Sequence, residues 1–215
     1  MFTITNIIVV ITCLVSFAAF NNEKLRNDML FWPAEISSRN QFYRFLSYGL
    51  VHADLMHLAF NMLALYSFGQ FVEKNLFSNP NLFGTRGSIF YLVLYVSALI
   101  VSTIPDYYKN KNNYDYRALG ASGAVSAVIF AGIMIEPRLP IQIFFIPWAI
   151  PGFLFAPIFL ALSAYLSKKG SDNIGHLAHI SGALYGLLFT LVVARLFANY
   201  DVMQGLFDAF SRRPR

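Results

Sequence analysis

Apolar residues run through this chain in long blocks, and polar residues gather between them. Six windows, about 2–20, 57–77, 88–105, 118–135, 141–166 and 174–198, approach the roughly 20 apolar residues that cross a bilayer as one helix. Hydrocarbon offers backbone groups no partner, so each window is predicted to satisfy its own hydrogen bonds as a helix. The connections 78–87, 106–117 and 167–173 carry the Asn, Pro, Gly and Asp that break helices. The longest connection, 21–56, mixes charges (Glu23, Lys24, Arg26, Asp28, Glu35, Arg39) with aromatics (Phe31, Trp32, Phe42, Tyr43, Phe45). That mixture suits the membrane–water interface, where rings and long cations both find partners. The first window has no Lys or Arg ahead of it and reads as a retained helix rather than a cleaved leader, although Ser16-Phe17-Ala18 has a loose likeness to a cleavage site. The fifth is the least regular, with Pro147, Pro151, Pro157 and Gly152 inside it. Its Phe144, Phe145, Trp148, Phe153, Phe155 and Phe159 read as a lipid-facing or lightly packed surface, on an element suited to moving aside. The expectation is an all-α, polytopic membrane domain over 1–215 with six transmembrane helices.

Composition strengthens this picture. The chain is 57% hydrophobic and 13% charged, with 22 Phe in 215 residues, which is no soluble domain. The net charge of +5 comes from loops and the tail Ser211-Arg212-Arg213-Pro214-Arg215. It suits anionic lipid headgroups, with no nucleic acid partner expected. Lys and Arg divide almost evenly between the two sets of connections, so charge does not set the orientation. Cys13 is the only cysteine, which excludes an internal disulfide and a cysteine metal site.

Polar groups at membrane depth carry the candidate chemistry, because they are costly there without a role. Ser122 stands in Gly120-Ala121-Ser122-Gly123 at the start of the fourth window. In a helix's first turn, a serine hydroxyl gains a nearby backbone donor and a field that favours negative charge. A serine with a histidine able to take its proton is the minimum for acyl transfer. The sixth window supplies His179, three residues before Gly182 in a Gly182-x-x-x-Gly186 face that allows close helix approach. If the partner helix is the fourth, Gly123 and Gly182 bring Ser122 and His179 within reach. His57 and Asn61, four apart, share one face of the second helix. They suit either interhelical hydrogen bonds or donors aimed at an oxyanion. Ser126, one turn after Ser122, is a packing or hydrogen-bonding residue. His52, Asp54 and His176 mark a wet cavity near the loop ends. A metal site built from these histidines is disfavoured, since no His-Glu-x-x-His pattern and no cysteine ligand is present.

Taken in order, these segments resemble the rhomboid intramembrane serine proteases, from Phe42 to Gly186. The likeness rests on Tyr43-Arg44, His57-x-x-x-Asn61, Phe68-Gly69 with Glu73, Gly120-x-Ser122-Gly123, and Ala178-His179 followed by Gly182 and Gly186. The resemblance implies a six-helix bundle of the minimal bacterial type, with Ser122 as nucleophile and His179 as general base. It implies an oxyanion hole of His57, Asn61 and the Ser122 amide, with no cofactor and no metal. Arg44 and Glu73 become structural residues, and the first loop lies partly in the membrane. Single-span transmembrane proteins become the expected substrates, and a bacterial inner membrane the expected location. The chain departs from the common pattern twice. Tyr43 replaces the usual Trp before Arg44, and Ser126 stands where many members carry a Tyr that packs on the catalytic imidazole. Two other readings remain: an inactive rhomboid-like binder of membrane segments, and a proton or metal transporter built on the histidines. Retention of Ser122, His179, His57 and Asn61 together weighs against the first. The lack of repeats and of acidic residues within the apolar cores weighs against the second.

Overall fold

The computed structural model describes residues 3–143, 147–169, 175–198 and 200–211. Its six long helices correspond to the six apolar windows. They are α1 (Ile4–Phe20), α5 (Leu55–Phe71), α6 (Gly87–Asn110), α7 (Ser122–Ile135), α8 (Gly152–Lys169) and α9 (His176–Phe197). Three short helices, α2 (Glu23–Met29), α3 (Pro33–Arg39) and α4 (Arg44–Ser47), occupy the long first connection, and α10 (Val202–Ser211) follows α9. The segments Leu55–Phe77, Gly84–Asn110 and His176–Phe197 are long and apolar enough to cross a membrane, and Ile4–Phe20 and Ser122–Ile135 are shorter apolar helices. The protein is an all-α integral membrane bundle.

Its helices are built outside in. On α1 the buried residues are Thr5, Ile8, Thr12, Ser16 and Ala19, while Ile7, Val10, Ile11, Leu14 and Phe17 are exposed. Lipid is as apolar as leucine, so small and polar side chains mediate helix contact and large apolar ones face outward. α7 lies at the centre, with 11 of its 14 residues buried. α8 lies at the edge, and only Gly152 and Ser163 of its 18 residues are buried.

Two buried charges fix the frame. Glu73, 2% exposed, lies in the π-helical turn Val72–Phe77 that extends α5. Its carboxylate accepts from the Ile4 and Thr5 amides at 2.9 Å each, from Thr5 Oγ1 at 2.8 Å and from Ser88 Oγ at 3.0 Å. It thus caps α1 and ties that helix to α5 and the start of α6. Arg44, 4% exposed, donates to the Asn27 and Leu30 carbonyls and to Gln41 Oε1, which closes the first connection on itself. Phe31 and Ala118 exchange two backbone hydrogen bonds, and the Gly120 amide donates to the Tyr48 carbonyl at 2.9 Å. The connection therefore anchors the segment that leads into Ser122.

The fifth window differs from its expected bounds. Pro140–Ile141 and Ile150–Pro151 pair as a two-stranded antiparallel hairpin, with Pro140 opposite Pro151 and Ile141 opposite Ile150. Helix α8 begins only at Gly152, so Pro157 is the single proline inside it. Pro147 and Pro151 fall before the helix, where a missing amide hydrogen costs little. Phe144 and Phe145 lie outside the described residues. Phe155 and Phe159 are half-buried against Phe130 of α7, rather than facing lipid.

Candidate active site

Helix α7 begins at Ser122, later than its apolar window suggests, because Gly120 turns the chain. Gly120 has φ +101°, which side chains rarely adopt, and a Cβ there would lie 2.7 Å from His57 Cε1. Glycine is required on both counts. Fourteen residues at ~1.5 Å each span roughly 21 Å, against roughly 30 Å of hydrocarbon. Both ends of α7 cannot reach the membrane faces.

Across from it, α9 packs on α7 with no side chains between the backbones at two points. A Cβ on Gly182 would strike the Gly123 carbonyl, and one on Gly186 would strike the Ala127 carbonyl. His179 stands one turn before Gly182. Its Nε2 lies 2.7 Å from Ser122 Oγ, within hydrogen-bond distance. Residues 57 positions apart meet because two glycines remove what would hold their helices apart.

The second-helix pair lies beside this contact. Asp54 caps α5 by accepting from the His57 amide at 2.8 Å. The half-buried His57 ring rests against Gly120, two residues before Ser122. Asn61 is 7% exposed and donates one amide hydrogen to the His57 carbonyl at 3.0 Å. Its amide nitrogen carries a second hydrogen.

His52 and His176 are drier than the sequence suggests. His52 is fully buried, with Nδ1 3.0 Å from Ser16 Oγ, which donates to the Leu50 carbonyl. Its ring stands edge-on to His57 at 5.1 Å. Burial, with the neighbouring His57, pushes the His52 imidazole down to about 4, so it is neutral at ordinary pH. His176 is 7% exposed and lies edge-on to His179 at 5.9 Å. Among the described residues, no three His, Cys, Asp or Glu converge on a point that could hold a metal ion.

One residue bonds as its spacing suggested, and one contact was not legible in sequence. Ser126 is buried and donates back to the Ser122 carbonyl at 2.9 Å, within its own helix. Phe159 of α8 places its ring 6.2 Å from the His179 imidazole at an interplanar angle of 31°. The sequence placed Phe159 on a lipid-facing or lightly packed surface, and no spacing rule relates positions on different helices.

Comparison with known proteins places the chain in a family. The rhomboid domain model matches residues 39–196. The chain is 28% identical over 171 residues to the rhomboid protease GlpG of Haemophilus influenzae, covering 80% of each protein. It is 26% identical over 181 residues to the mitochondrial RHOMBOID-like protein 12 of Arabidopsis thaliana, covering 79% of this chain and 51% of that one. It is 30% identical over 148 residues to the mitochondrial presenilin-associated rhomboid-like protein of Bos taurus, covering 64% of this chain and 34% of that one. The chain thus spans about half the length of the plant relative and a third of the bovine one. A match over residues 39–196, with the glycine-lined contact of α7 and α9 inside it, makes this chain a member of the rhomboid family.

Proposed function

We propose that the protein is an intramembrane serine endopeptidase that hydrolyses peptide bonds in or next to transmembrane segments of single-span proteins. One observation carries the reading: the 2.7 Å contact between Ser122 Oγ and His179 Nε2, inside a membrane bundle. With a proton on Nδ1, His179 Nε2 accepts the Ser122 hydroxyl hydrogen as Oγ attacks the substrate carbonyl carbon. The imidazolium then returns that proton to the departing amine. Water repeats the sequence on the acyl-enzyme, with His179 as base, and frees Ser122.

The developing oxyanion takes its donors from the start of α7, where the Ser122 amide has no acceptor within the helix, and from His57 and the second Asn61 hydrogen. No carboxylate is invoked to orient His179. The Phe159 ring does so instead, and Ser126 is left to its intrahelical bond. Substrate reaches Ser122 from the bilayer past α8, the least buried of the six long helices. The natural location is the inner membrane of a bacterium. The bacterial relative bears the protease name, whereas the plant and bovine relatives are named as mitochondrial.

A fluorophosphonate probe on the purified protein tests the dyad. Wild-type protein should label, and Ser122→Ala and His179→Ala should abolish labelling and cut cleavage by at least ~10³. The double variant should be little worse than either single one. Folded wild-type protein that does not label would overturn the protease reading in favour of a rhomboid-like binder of membrane segments or a histidine-based transporter.

A further inference from the structure

Helix α10 (Val202–Ser211) sorts its side chains into two arcs. At 100° per residue, Val202, Leu206, Phe210, Met203 and Phe207 fall on one side, and Gln204, Asp208 and Ser211 on the other. The apolar arc is only partly covered within the molecule. Val202 is 3% exposed in the core, whereas Met203, Phe207 and Phe210 are 58%, 67% and 59% exposed.

The polar arc is self-contained. Asp201 Oδ1 caps the helix by accepting from the Met203 and Gln204 amides at 2.9 and 3.1 Å, and Gln204 Nε2 donates to Asp208 Oδ1 at 2.9 Å. Position matters too. Only 198–201 separate α10 from the end of α9, roughly 27 Å along that helix from His179 at ~1.5 Å per residue. α10 packs on α7 and α9. The Phe210 ring stands 5.5 Å from Phe153 at the start of α8, next to the exposed Leu154 and Ile158.

The bare stripe is thus continuous with the side of the bundle that already faces lipid. We propose that α10 is a membrane-surface helix, lying in the headgroup–acyl boundary on the face away from Ser122, with Met203, Phe207 and Phe210 sunk into lipid. A short amphipathic helix held beside a transmembrane segment has that boundary as its matching solvent. In sequence the next charges are Arg212, Arg213 and Arg215, whose sign suits anionic headgroups.

The inference needs no catalysis, so its test is independent of the proposed activity. Single cysteines replace Met203, Gln204, Phe207 or Asp208 in a Cys13→Ser background. Each variant is spin-labelled and reconstituted in phosphatidylcholine–phosphatidylglycerol vesicles. Labels at 203 and 207 should be reached by oxygen and shielded from a nickel chelate, and labels at 204 and 208 should show the reverse. Equal chelate access at 204 and 207 would place the stripe in water and overturn the proposal. Dipolar broadening at 207 that disappears on dilution with unlabelled protein would show a second copy covering it, and would also overturn it. In unlabelled protein, Phe207→Asp should speed hydrogen exchange of the α10 amides in vesicles while α7 stays protected. Unchanged exchange would count against lipid burial.

Discussion

The residues around Ser122 each have one separable task, so each can be tested apart from the hydroxyl. Asn61 is the clearest case. It already donates to the His57 carbonyl within α5, a bond that helix glue alone would explain. If its second hydrogen serves the oxyanion, Asn61→Ala should lower kcat by up to ~10²–10³ with little change in thermal stability. A loss of melting temperature at unchanged specific activity would return Asn61 to glue. Phe159 and Ser126 form the complementary pair. Ser126→Ala loses only a bond back to Ser122's carbonyl and should be mild. Phe159→Ala should lower kcat more than it raises KM, because a freely turning imidazole spends less time aimed at Oγ. Phe159→Tyr should restore the rate and Phe159→Leu should not, an order that a purely space-filling role would not produce.

At the scale of elements, the decisive contact is backbone against backbone. Gly182 and Gly186 face carbonyls of α7, which cannot swing away as a side chain can. Gly186→Ala should therefore separate α9 from α7, costing about 1–3 kcal/mol of stability and most of the activity. Gly175→Ala is the control, since among the described residues a Cβ there meets nothing closer than Ala178 Cβ at 3.7 Å, and it should be nearly neutral. Melting temperature and cleavage rate, measured on the same preparations, check both. The Gly-x-x-x-Gly spacing was visible in sequence, and so was the side of α9 on which His179 lies. Which helix would meet that side was not, because a small-residue face fits any partner whose backbone is equally bare. Helix bounds were less legible. The paired strands Pro140–Ile141 and Ile150–Pro151 are too short and apolar to separate from the helix that follows, and Gly120's positive φ trims α7 from within an apolar run.

At the scale of the molecule, burial is graded from the central α7 to the peripheral α8. If α8 is where substrate segments pass, cysteines tying it to α5 in a Cys13→Ser background should suppress cleavage of a transmembrane substrate. Reduction should restore it, and labelling of Ser122 by a small fluorophosphonate should persist throughout. Cleavage at the same rate with the cross-link closed would place the route elsewhere and leave the dyad untouched.

The sequence by itself determined that the chain lives in a membrane, which stretches of it form the long helices, and which polar residues lie among them. Those properties follow from runs of residues along one strand of chain, where hydrocarbon punishes every unsatisfied group. The tertiary structure alone decided that Ser122 Oγ and His179 Nε2 lie 2.7 Å apart, that Glu73 caps α1, that His52 is sealed from water and that Phe159 faces the imidazole. Each of these is a meeting between distant segments. It is fixed by which backbones can approach, and hydropathy along the chain carries no record of that.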